Sequence, residues 1–167
     1  MCFTDKEEYI PIQDLKPGVL VKTVSSGFKK IEAIGYARVY YDIKNNGRVK
    51  QNLYKLWKTE FPELFEDLVI TGCHSILVKE FINEEQRNKT IEVNGNTYVT
   101  DSHYRLPACA DNRIQIYDVD DVHVVWHFSL EHTDYFMNYG VYANGLLVET
   151  TSNRMMKEFA SLNPVNF

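Results

Sequence analysis

Thr71-Gly72-Cys73-His74-Ser75-Ile76-Leu77-Val78 lies in the middle of a chain most of whose segments read as strands. Residues 20–23 alternate apolar and polar side chains, and Gly27-Phe28-Lys29-Lys30-Ile31 begins another such run after the Ser25-Ser26-Gly27 turn. Residues 36–41 are rich in β-branched and aromatic side chains, and Asn45-Asn46-Gly47 then supplies a hairpin-type turn. Asn94-Gly95-Asn96 reads as a second turn, between strands at 90–93 and 97–100. Strands are expected at 122–130, 135–142 and 146–148. Helices are fewer. One is predicted over 59–68, with Thr59 as N-cap, acids in its first turn and Pro62 placed early, where a missing N–H does no harm. Residues 81–87 predict a second short helix. Ser152 caps a third over 152–162, whose Met155, Met156, Phe159 and Leu162 are spaced to cover one face.

The chain has 167 residues, 44% of them hydrophobic and 25% charged, which suits one domain with its own core and argues against disorder. Its net charge of -5 is spread with acids and bases interspersed, which speaks against a nucleic-acid or anionic-membrane surface. No apolar run approaches the roughly 20 residues that span a bilayer. The start, Met1-Cys2-Phe3-Thr4-Asp5-Lys6, lacks the positive region and apolar stretch of a signal peptide. Cys2, Cys73 and Cys109 are an odd set without a C-x-x-C pair, so the expected setting is cytoplasmic or another reducing compartment. Cys73 and Cys109 read as small buried hydrophobes. No Gly-rich phosphate loop or other cofactor motif is present, and none is expected to bind.

Three stretches, in order, resemble the Hint family, the fold of Hedgehog autoprocessing domains and inteins. Ile12-Gln13-Asp14-Leu15-Lys16-Pro17-Gly18-Val19-Leu20-Val21 is similar to the family's early I-x-x-L-x-x-G-D-x-V segment, with Val19 where Asp is usual. Thr71-Gly72-Cys73-His74 fits its T-x-x-H block, and Asn144-Gly145-Leu146-Leu147-Val148 its closing N-G-x-x-V strand. The resemblance frames a core of about 10–151. Tyr139-Gly140-Val141-Tyr142-Ala143-Asn144-Gly145 also resembles Hint-bearing proteins encoded by large DNA viruses. The implied fold is a compact, mainly β assembly of curved strands and hairpins with a few short helices.

The resemblance implies an N-to-S acyl shift, in which a Cys attacks the carbonyl just before it and converts an amide to a thioester. The planar, resonance-stabilised amide must be strained and its departing nitrogen protonated. His suits that task because its pKa lies near neutrality and its two ring nitrogens can play opposite roles. On this reading Cys2 is the nucleophile candidate, His74 the acid/base, and Thr71 its helper, since residues i and i+3 on a turning strand can both reach one backbone group. His127 falls about where inteins often carry an Asp that assists the thiol. The thioester can be opened by water, a thiol or an alcohol.

The pattern also departs from the family. Asp5-Lys6-Glu7-Glu8 looks like the turn after the first strand yet follows only a few residues past Cys2, so Cys2 is either the nucleophile or the end of a strand whose start is missing. The expected partner is the domain's own N-terminal flanking segment, of which only Met1 is present. Glu149, Thr150 and Thr151 hold the places of the intein His-Asn-nucleophile ending, so splicing is not expected. His123 and His127, about 13 Å apart along a strand at roughly 3.3 Å per residue, cannot share one zinc without a bulge. Asn144-Gly145 reads as a corner with positive φ near the site. The alternative to self-cleavage is a non-catalytic Hint fold kept as a structural or interaction module, with the last helix docking on a partner or on its own domain.

Overall fold

The computed structural model describes residues 1–40, 50–117, 121–159 and 162–165. Fourteen strands form three antiparallel assemblies among these residues, so the mainly β expectation holds. The first sheet unites distant parts of the chain. β1 (Cys2–Phe3) pairs with β2 (Tyr9–Ile10) on one side and with β12 (Gly140–Ala143) on the other. β12 leads to β13 (Leu146–Glu149), then β7 (Ser75–Val78), β9 (His103–Pro107) and β8 (Val99–Thr100). The second sheet sets β5 (Leu53–Leu56) between β10 (Gln115–Ile116) and β6 (Leu68–Thr71).

The third assembly is built on β4, which runs from Phe28–Tyr40 and absorbs both runs expected at its two ends. Its start pairs with β3 (Leu20–Lys22), and one side of it carries β11 (Val122–Leu130). A bulge lies between Ser129 and Leu130. The opposite side receives β14 (Asn163–Pro164) near Gly35, where an added Cβ would sit 2.9 Å from the Leu162 Cβ. Tyr41 and the Asn45-Asn46-Gly47 turn lie outside the described residues.

The early segment shows how local geometry feeds the core. A 3-10 turn, Ile12–Asp14, rotates the chain so that Leu15 enters the interior with no exposed surface. Gly18 follows at φ +90, a left-handed conformation that glycine adopts at low cost, and its N–H donates to the Ile31 carbonyl at 2.8 Å. Val21, Ile31, Ile34, Tyr54, Leu56 and Ile76 surround the same interior. The I-x-x-L-x-x-G spacing is therefore a turn, a plug and a left-handed corner.

Four expectations about secondary structure are corrected. Residues 59–67 form successive turns and Leu68 begins β6, so no helix stands at 59–68. Pro62 removes a donor and disfavours helical backbone at Phe61. The Glu60 and Phe61 N–H groups both donate to the Trp57 carbonyl, and Phe61 and Leu64 plug the core. The helix expected at 81–87 starts later and runs longer, as α1 (Glu84–Asn94), because the Asn83 side chain accepts from the Gln86 N–H at 2.9 Å and caps it. The strand expected at 90–93 lies inside α1, and Gly95, at φ +81, closes that helix instead of turning a hairpin. Of residues 135–142 only the end is extended, as part of β12. Ser152 does cap the last helical stretch, accepting from the Met155 N–H at 3.3 Å. That stretch winds as a π-helix over Met155–Phe159, while Leu162 leads into β14.

Truncating the core plug tests this packing. Leu15→Ala is expected to lower the unfolding free energy by about 2–5 kcal/mol in urea denaturation. A loss below about 1 kcal/mol would show that Leu15 does not anchor the early segment.

Candidate functional site

Thr71 ends β6, Ser75 begins β7, and the residues between them make a tight turn joining two sheets. The His74 N–H donates to the Thr71 carbonyl at 3.0 Å. Further main-chain groups of the turn are also tied down. Gly72 N–H donates to Asn52 O at 2.8 Å, Cys73 N–H to Lys50 O at 3.0 Å, and Ala108 N–H to His74 O at 3.0 Å. The block is thus the approach to the strand rather than the strand itself. It fixes the His74 Cα from both sides, so its ring has little backbone freedom. The Thr71 hydroxyl lies 3.4 Å from the exposed Cys73 sulfur.

The His74 ring packs against the ring of His127, with centroids 5.5 Å apart and planes at 33°. His127 comes from the middle of β11, opposite Gly35 of β4. Burial drives the His74 pKa down to about 3, and the neighbouring His127 pushes the same way. A hydrogen bond to the Glu149 main-chain carbonyl opposes that shift without overcoming it. Burial lowers the His127 pKa as well. Both rings are therefore neutral near pH 7. The His74 nitrogen that serves Glu149 carries the proton, which leaves the other as a lone pair.

Cys2 is buried on β1, and burial pushes its thiol up to about 11. It is a protonated thiol in the resting protein and needs a base to react. Behind the histidines lies a carboxylate that the sequence reading passed over. The Glu149 side chain ends β13 with Arg105 at 2.8 Å and Asn138 Nδ2 at 2.6 Å, and Ser75 also bonds to it. Burial raises its pKa, while Arg105 holds it down. The only signal for it in the sequence is an acid ending the apolar run Leu146-Leu147-Val148.

Cys2, Thr71, His74 and His127 all line one cavity of about 340 Å³. Met1 enters its wall, and Leu68, Val69, Val125 and Trp126 give it an apolar side. His123 lines the same cavity and meets the Tyr117 ring edge-on, with centroids 5.5 Å apart and planes at 63°. Among the described residues no group of three or more His, Cys, Asp or Glu is arranged to hold a metal ion. Asn144 and Gly145 take φ +49 and +97 between β12 and β13, the left-handed pair of a two-residue hairpin turn. Cys109 is buried as expected, whereas Cys73 is exposed and not a core residue. No helix among the described residues is long and apolar enough to cross a membrane.

Two measurements follow from these environments. A thiol reagent at pH 8 is expected to modify Cys73 at once and to reach Cys2 and Cys109 only on unfolding; prompt loss of all three thiols would contradict the burial of Cys2. The second concerns acid. Folded His74 binds a proton near 3 and the unfolded ring near 6.5, so the unfolded chain holds more protons between those values. Stability from this group is complete above about 6.5 and declines as pH falls toward 3. His127 acts in the same sense, and Glu149, with its raised pKa, in the opposite one. The urea midpoint should fall between pH 7 and pH 5, and His74→Gln should flatten that fall; an unchanged slope would remove His74 as its cause. No family model and no curated protein matches the chain.

Proposed function

We propose that this chain is a Hint-like self-processing domain that converts the peptide bond ahead of Cys2 into a thioester. The observation that carries the reading is the convergence of Cys2, Thr71, His74 and His127, drawn from distant parts of the chain, on one cavity that also holds Met1. The neutral His74 has a lone pair to take the Cys2 thiol proton, and as the C–N bond breaks it returns that proton to the departing Cys2 nitrogen. The neighbouring His127 works against a charged His74, which favours the return. Water or an external thiol then opens the thioester. The partner released is the domain's own N-terminal flanking segment. No Asn stands at positions 149–151, so cleavage without splicing is the expected outcome.

A second reading, a Hint-like scaffold without activity, is favoured by one feature: the resting Cys2 thiol is buried and raised to about 11. One experiment separates the two. A folded reporter and spacer are joined upstream of residue 1, and intact masses are followed over hours with and without dithiothreitol or hydroxylamine. Thiol-dependent release, abolished by Cys2→Ala and by His74→Ala in variants with native thermal melts, supports self-processing. A folded fusion that stays whole under all conditions leaves the scaffold.

A further inference from the structure

The geometry points to Asn144 as the residue that grips the reacting peptide unit, holding the nitrogen of the residue before Cys2 with its side chain and the attacked carbonyl oxygen with its own N–H. This inference rests on the thioester reading above and adds the group that receives the charge developing on the carbonyl.

The contacts are direct. The Asn144 N–H donates to the Met1 carbonyl at 2.9 Å, and this is the carbonyl that precedes Cys2. The Met1 nitrogen donates to Asn144 Oδ1 at 2.6 Å. In a chain that continues upstream, that nitrogen is a peptide N–H and can make the same bond. The orientation of the side-chain amide is not free. Its Nδ2 donates to the Asp67 carbonyl at 3.2 Å, a group that can only accept, so Oδ1 must face residue 1. The Asn144 carbonyl in turn accepts the Phe65 N–H at 3.1 Å. All four polar groups of a residue only 6% exposed are thus committed, two to residue 1 and two to the 65–67 loop.

A turn alone does not demand this. Gly or Asp also tolerates φ +49 at the first position of an Asn-Gly turn. Asp would place an anion where Nδ2 now meets the Asp67 carbonyl, and Gly would leave the residue 1 nitrogen without its acceptor. The turn is also braced from behind. A Cβ at Gly145 would lie 2.2 Å from the Glu63 carbonyl oxygen, so the 63–67 loop fits against the turn with no room to spare. The N–H of Asn144 is therefore pre-aimed.

The step balances as an isomerisation. Cys2 Sγ loses its proton to a base in the cavity and bonds to the Met1 carbonyl carbon. The carbonyl electron pair moves onto oxygen, where the Asn144 N–H meets the negative charge. The pair then reforms the C=O bond as the bond from carbon to the Cys2 nitrogen breaks. The proton passes to that nitrogen, leaving a thioester and a free Cys2 amine.

The test uses the reporter fusion of the full chain. Asn144→Gly keeps the turn and the N–H but removes the side-chain grip, and is expected to slow dithiothreitol-dependent release about tenfold. Replacing residue 144 with its α-hydroxy acid analogue by nonsense suppression removes the N–H, with an expected loss of about a hundredfold. Met1→Pro removes the N–H that Oδ1 accepts. It should slow the parent fusion and leave Asn144→Gly no slower, a non-additivity that mere loss of folding does not produce. In a Cys2→Ala fusion, the residue 1 amide should be protected from hydrogen exchange, and Asn144→Gly should expose it. Release at the parental rate in both residue 144 variants overturns the grip and leaves the thioester reading standing. A parent fusion that never releases its reporter overturns both.

Discussion

The pairing of Cys2 with Ala143 is the constraint on which the cavity depends. β1 is only two residues long and has no independent stability, so its position is set by the hairpin beside it. Side chains alternate with a period of two, and a slip of one residue would turn Cys2 outward and carry the Met1 carbonyl away from the β12–β13 turn. The same hairpin faces the other way as well. Val148 of β13 pairs with Ile76 of β7, which fixes the strand that His74 introduces. One hairpin therefore spaces the thiol from the imidazole, and the long β4–β11 ribbon brings His127 against that imidazole from a different sheet.

Much of this was legible before any coordinates. The mainly β character and the full extent of β11 follow from runs of β-branched and aromatic residues, whereas the grouping of Thr71, His74 and His127 with Cys2 is what the Hint resemblance implies and the cavity brings together. What failed did so for identifiable reasons. Thr90-Ile91-Glu92-Val93 has strand-like composition, but the Asn83 cap and Gly95 closure outweigh a weak helical propensity. The Asn-Gly signal has two meanings, helix end at 94–95 and hairpin at 144–145, and only tertiary context separates them. In sequence Glu149 reads only as a departure from the intein ending and its pairing with Arg105 is not foreseen, because a single charge at a strand end is usually solvated; here folding sets the two 2.8 Å apart, 44 positions distant in sequence.

The site keeps its ionisable groups quiet in the resting protein. Two imidazoles stay neutral because burial penalises their charged forms, and burial keeps the thiol protonated against the opposing pull of the residue 1 amine. The partly buried Glu149 carboxylate nearby has a guanidinium and hydrogen-bond donors around it. Removing Arg105 alone would leave an uncompensated anion, which is far costlier than the pair is valuable. A cavity of this kind holds this thiol and these two imidazoles in their uncharged forms near pH 7.

The strand at the far side of β4 has a consequence for how the protein meets other copies of itself. The Val165 N–H reaches inward to the Ile34 carbonyl at 3.0 Å, so by alternation the nitrogen of Pro164 faces outward. A proline there has no hydrogen to offer. The outer rim of this sheet thus ends in a residue that cannot donate to an incoming strand, and the ladder stops where it is. On this side of the ribbon that carries His127, strand addition meets a position with no donor.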